Sequence, residues 1–136
     1  MGAWDTDPFG NDTAIDWAST LEESEGLQLI EDTLAKIEDA GDDDYIEAPD
    51  AEEAIAAADT LARIKGKFYI KNTYTEAVDV WVEEQQLTVP DDLIDLAIHA
   101  IDRIQSEPSE LLEQWEETDD FKAWKKHLSD LKKRLQ

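Results

Sequence analysis

Carboxylates are the reactive groups this chain holds in quantity: 35 of its 136 residues are Asp or Glu, against 12 Lys and Arg and two His. A pair of carboxyls serves as general acid and base only where two different environments within one cleft push their pKa values apart. No spacing in the sequence singles out such a pair. His99 and His127 are the side chains that titrate near neutral pH, but neither stands in a His-Glu or His-x-x-x-His arrangement, and both read as structural. The absence of Cys removes thiol nucleophiles, disulfides and Cys-based zinc sites. No Gly-x-Ser-x-Gly elbow, phosphate-cradling glycine loop or dinucleotide fingerprint occurs. Asp5, Asp7, Gly10 and Asp16 match positions one, three, six and twelve of a calcium loop. Phe9 takes the fifth position, however, and the twelfth lacks the bidentate Glu, so the match is partial. Asp42-Asp43-Asp44 has no alternating ligand spacing and reads as a solvated loop. The expectation is a protein that is not an enzyme, with no cofactor and no metal site.

The charge balance excludes further classes. A formal net charge of −23 and a pI near 4.1 rule out a simple phosphate-backbone binder, which needs Lys and Arg over its contact surface. Residues 122 to 136 hold six cations against one carboxylate, and the preceding 121 residues hold six cations against 34 carboxylates. The basic end is read as cations suited to a helix C-terminus and paired with acidic neighbours. Apolar residues still make up 41% of the chain, enough to build a core despite the charge. The length suits one domain, and residues 1–136 are read as a single acidic helical domain. No apolar run approaches the ~18 residues of a membrane span. Met1-Gly2-Ala3-Trp4-Asp5 lacks a basic and then apolar leader, so a cytoplasmic protein with no membrane contact is expected.

Helical punctuation recurs throughout and β-branched runs are nearly absent, which predicts an all-α bundle of about six to seven helices. Asn11 or Asp12 caps a first helix carrying Ala14, Ile15, Ala18 and Leu21 and ending near Gly26. Leu27, Ile30, Leu34 and Ile37 stripe a second, with Gly41 at its expected left-handed C-cap. Asp42 to Pro49 forms an exposed acidic loop, and Asp50, in a capping box with Glu53, opens a third helix. Its face of Ala51, Ala54, Ile55, Ala58, Leu61 and Ala62 admits a close neighbour before Lys65-Gly66-Lys67. Phe68 to Thr73 is an irregular connector, and Thr73 with Glu76 caps a fourth helix carrying Val78 and Trp81. Pro90 starts the fifth, whose many apolar residues mark it as the central helix. After Ser106-Glu107-Pro108-Ser109, a short helix holds Leu111, Leu112 and Trp115. Asp119 or Asp120 caps the last, where Phe121, Trp124, Leu128, Leu131 and Leu135 form a packing seam.

Of the five tryptophans, Trp17, Trp81 and Trp124 lie near apolar stripes, whereas Trp115 is flanked by Gln114, Glu116 and Glu117 and is read as a surface anchor. Met1-Gly2-Ala3-Trp4, Pro8-Phe9 and Asn11-Asp12-x-Ala14-x-Asp16-Trp17 together resemble the opening of a bacterial family of small uncharacterised proteins, domain of unknown function 4259 (DUF4259). Glu53-Ala54-x-Ala56-Ala57-Ala58, Ala100-x-Asp102-Arg103 and Leu111-x-x-x-Trp115 through Trp124 to Leu131 extend the resemblance over nearly the whole chain. It implies a stand-alone helical domain and no established activity.

The leading functional expectation is an acidic protein-binding module, an immunity or inhibitor protein that neutralises a basic partner such as a nuclease toxin by electrostatic masking. Dense carboxylates would be steered onto a cationic site with association rates raised ~10 to 10³-fold. The partner-binding residues expected are Asp42, Asp43, Asp44, Glu47 and Asp50, with Glu113, Trp115, Glu116, Glu117, Asp119 and Asp120. The partner is a basic protein, with no direct nucleic-acid contact. The alternatives are a metal-assisted hydrolase using Asp and Glu ligands and a DNA-mimic protein. Simple salt adaptation fits less well, since nine of the 12 basic residues are Lys.

Overall fold

Alanine on every face allows a helix to be surrounded on every side, and the Ala-rich segment does this. The computed structural model describes residues 6–68 and 70–136. Among them are seven helices: α1 Asp12–Glu22, α2 Gln28–Asp39, α3 Ala48–Ile64, α4 Glu76–Gln85, α5 Asp91–Ile104, α6 Glu110–Glu116 and α7 Phe121–Leu135. Helix α3 packs against all six others. Ala51, Ala56, Ala57, Ala58, Leu61 and Ala62 are wholly buried, and even Glu52, Asp59, Thr60 and Arg63 are enclosed. The all-α expectation holds, but the centre belongs to α3 and not to the fifth helix. Helix α5 turns Leu93, Ala97, Ala100, Ile101 and Ile104 inward while Asp95, His99 and Asp102 remain exposed, so its wide stripe is still one-sided.

Local signals placed most of the boundaries. Asn11 Oδ1 accepts from the Ala14 N–H at 2.7 Å, the expected cap of α1. Gly66, at φ +81°, closes α3: its N–H donates to the Arg63 carbonyl and that of Lys67 to the Ala62 carbonyl, both at 2.9 Å. The seam of α7 is buried at Trp124, Leu128, Leu131 and Leu135, and Trp17 and Trp81 are core residues.

Other boundaries are set by distant residues. Helix α3 begins at Ala48, two residues before Asp50, with Pro49 in its first turn. The expected capping box gives way to Glu110 of α6, whose Oε1 accepts from the Ala48 N–H at 2.7 Å. Gly41 is not a left-handed cap, because α2 ends through Ala40 in extended conformation. Asn72 organises the turn into α4 instead of Thr73, its Oδ1 accepting from the N–H groups of Tyr74 and Thr75.

Replacing Ala57 by Leu should overpack this fully enclosed position and lower unfolding stability by about 1–3 kcal/mol, measured by urea denaturation.

Candidate interaction face of the acidic loop and α6

The acidic loop is held by backbone pairing. Between α2 and α3 the chain passes beside the α5–α6 connector and forms a single parallel bridge, Ile46 with Ser109. The Ile46 N–H donates to the Pro108 carbonyl at 3.3 Å, and the Glu110 N–H donates to the Ile46 carbonyl at 2.9 Å. Arg103, at the end of α5, fastens both segments. Its Nη1 donates to the carbonyls of Ser106 and Pro108, and its Nη2 reaches those of Gly41, Asp42 and Asp44, the last at 2.5 Å. Inside the loop the Gly41 N–H donates to Asp44 Oδ2 at 2.9 Å, the short-range turn an Asp favours.

This pinning brings one residue of the second group, Glu113, beside the acidic loop. Tyr45 Oη donates to Glu113 Oε2 at 2.7 Å across 68 residues of sequence. That hydrogen bond, with smaller contributions from desolvation and the nearby Glu113, Glu110 and Glu47 charges, pushes the Tyr45 hydroxyl up to about 12. Glu113 thus favours the protonated phenol, the form that donates this hydrogen bond. Asp42, Asp43, Asp44, Glu47 and Glu113 are exposed on this face, and Asp50 is half-buried in the first turn of α3. Glu116 and Glu117 close α6, and Asp119 and Asp120 lead into α7. All four are exposed, but no contact joins them to the loop among the described residues. None of these ten carboxylates forms an ion pair among the described residues.

Trp115 requires a correction. It is 5% exposed and stacks on Trp124 with ring centroids 6.3 Å apart, so it is a core side chain that presents no ring to a partner. Its charged sequence neighbours occupy the outer side of a seven-residue helix whose inner side is Leu111, Leu112 and Trp115. Tyr45, 51% exposed, is the aromatic at this face. Sequence reasoning missed Tyr45, Arg103, Ser109 and Glu110. Arg103, the lone cation of α5, was the available signal.

Arg63 and Arg134 are engaged elsewhere, in a network around Asp59. Arg63 donates from Nε to Asp59 Oδ2 at 2.7 Å, from Nη1 to Asp79 Oδ1 at 2.7 Å and from Nη2 to the Ile70 carbonyl at 2.6 Å. From α7, Arg134 reaches Asp59 Oδ1 at 2.8 Å and Asp130 at 2.9 Å. Burial disfavours the Arg63 charge, but Asp59 and Asp79 outweigh it and hold its pKa above the ordinary value. Lys132 pairs with Asp102 at 2.7 Å, so two of the six Lys and Arg residues of the basic end, Lys132 and Arg134, pair with carboxylates among the described residues, and Lys65 Nζ donates to the Leu135 carbonyl.

His127 Nδ1 lies 3.0 Å from Asp7 Oδ1, tying the segment before α1 to α7. Asp7 is thus turned to a histidine while Asp16 is exposed on α1, and Asp5 lies outside the described residues. Among the described residues no group of three or more His, Asp or Glu side chains could hold a metal ion. No described helix is long and apolar enough to cross a membrane.

A family model described as a domain of unknown function (DUF4259) matches residues 2–127. No curated protein and no solved structure matches the chain.

Removing Asp59 by an Asp59→Ala change leaves two guanidinium groups short of their shared partner. It should cost about 3–5 kcal/mol of stability in urea unfolding. Glu52 gives a pH-dependent counterpart. Burial raises its carboxyl pKa, a hydrogen bond with Thr13 opposes this and Glu110 adds to it. An acid whose folded pKa is raised loses stability as pH climbs from its unfolded value through its folded one. Glu52→Gln should therefore be more stable than the parent at pH 7, with the advantage shrinking towards pH 4 in thermal melts.

Proposed function

The chain belongs to the DUF4259 family, and from its surface we propose an acidic binding module that docks on the cationic face of a partner protein, as an immunity protein masks a basic nuclease. The observation that supports this reading is the joined loop–α6 face: carboxylates from both segments, exposed and unpaired, on a backbone fixed by Arg103 and the Ile46–Ser109 bridge. Fixing the loop before encounter reduces the ordering entropy that binding would otherwise demand. Unpaired carboxylates supply the long-range attraction that raises association rates, and salt weakens that attraction. Tyr45, rigid and half exposed beside Glu113, is the residue best placed to anchor a contact once approach is complete.

The labelled chain can be titrated against a panel of basic nuclease domains at low and high salt, with stopped-flow association rates and residual nuclease activity as readouts. A complex that forms quickly at low salt and slowly at high salt supports the proposal, and no complex with any basic partner at low salt overturns it. Changing Asp42, Asp43 and Asp44 together to Asn keeps an acceptor for the Gly41 N–H and removes three charges. That variant should associate about tenfold more slowly at low salt with little change in dissociation or helicity. An unaltered association rate would take the loop out of the interface.

A further inference from the structure

Apart from Tyr45, the large apolar side chains left exposed among the described residues are Phe68, Ile70, Tyr74 and Val80, all within residues 68–80. Val80 stands on the outer side of α4, 49% exposed, while Val78 and Trp81 of the same helix enter the core. It forms a ridge between two open grooves. One, of about 550 Å³, is lined by Ala77 and the edge of Trp81, with Glu22 and Glu84 beside them. The other, of about 590 Å³, is lined by Phe68 and Val82 with Glu83, the exposed Lys71 and the paired Arg63 and Asp79 around them, and Glu76 borders both. Phe68 is 47% exposed, with Lys71 Nζ held 4.5 Å above its ring.

An apolar centre within a charged rim is the anatomy of an interface, and contiguous exposed apolar surface on a folded domain calls for a partner. Four exposed carboxylates against one exposed cation, Lys71, make the rim favour a cationic partner. Glu22, Glu76, Glu83 and Glu84 are all exposed, and none forms an ion pair among the described residues. A second copy of the chain would bring these same carboxylates against one another, with −23 on each molecule. We infer that the Val80 ridge and its two grooves receive a basic amphipathic helix of a partner protein, apolar side chains astride Val80 and Lys or Arg against Glu22, Glu76, Glu83 and Glu84. This is helix-in-groove recognition, with affinity from the apolar anchors and selectivity from the rim. The surface is separate from the loop–α6 face and stands whether or not that face binds.

The test uses the full chain and a synthetic Leu/Lys peptide of about 18 residues whose leucines recur at the three- and four-residue spacing of one helix face. A scrambled peptide of the same composition is the control. Binding is followed by calorimetry and by amide NMR shifts. The patterned peptide should move the signals of residues 66–72 and 76–84. Val80→Asp and Phe68→Ser, both at half-exposed positions, should each weaken binding about tenfold with helicity unchanged. Glu76→Gln with Glu83→Gln and Glu84→Gln should weaken it at low salt. The Asp42, Asp43 and Asp44 triple change should leave it unaltered, which separates this surface from the loop–α6 face. Four results would each overturn the inference: failure of the patterned peptide to bind, equal binding of the scrambled peptide, shifts mapping elsewhere, or affinity untouched by both Val80→Asp and Phe68→Ser. A dimer of the unbound chain that Val80→Asp dissociates would assign the ridge to a second copy and also overturn it.

Discussion

A helix enclosed by its neighbours over most of its surface must have its buried polar groups satisfied by them, and α3 imposes that requirement on the rest of the molecule. A buried, unpaired amide or charge costs far more than a net hydrogen bond returns, so the elements around α3 are fixed by what they must supply. At its N-terminus Glu110 of α6 accepts the Ala48 N–H, which brings α6 and the loop before α3 into register. At its C-terminal half Asp59 and Arg63 require opposite charges from α4 and α7, and Asp79 and Arg134 provide them. The middle of α3 needs nothing polar beyond Thr60, whose hydroxyl donates to the Ala56 carbonyl one turn back. Small side chains there let the other helices close in, and dispersion contacts at crystal-like density follow from that approach.

The same requirement accounts for what was readable in the sequence. Periodicity and caps act within a few residues, so the helices, the Asn11 cap, the Gly66 terminus and the α7 seam could all be found along the chain. The centre could not be found this way. Counting apolar residues favours α5, with its isoleucines and leucines, whereas enclosure is decided by how little room a helix takes, and that favours the alanines of α3. Asp59 and Arg63 carry the signal of the difference, because an i, i+4 ion pair interrupting an alanine face is out of place unless both ends find further partners inside. Glu110 and Arg103 act across about 60 residues of sequence and leave no local pattern. Trp115 shows the complementary error: charged neighbours say little about a side chain on a helix, since adjacent residues point to different faces.

The distribution of charge follows from these constraints. With Arg63 and Arg134 drawn into the interior network and Arg103 directed at carbonyl groups, all three arginines of the chain are committed to architecture. Outward-facing carboxylates are then neutralised mainly by solvent ions. A surface like this repels copies of itself and attracts cations. Hydrophobic exposure at Val80 and Phe68 is compatible with such a surface because the surrounding carboxylates keep indiscriminate apolar contacts at a distance.

Arg103 grips its loop by the peptide oxygens of Gly41, Asp42 and Asp44 and leaves the carboxylates of Asp42 and Asp43 outside that hold. Shape and charge are consequently separate variables at Asp42 and Asp43, whereas the Asp44 carboxylate, which accepts from the Gly41 N–H, belongs to both. A substitution at Asp42 or Asp43 can therefore change the charge shown to solvent while the peptide oxygens that Arg103 holds keep the contour of the segment.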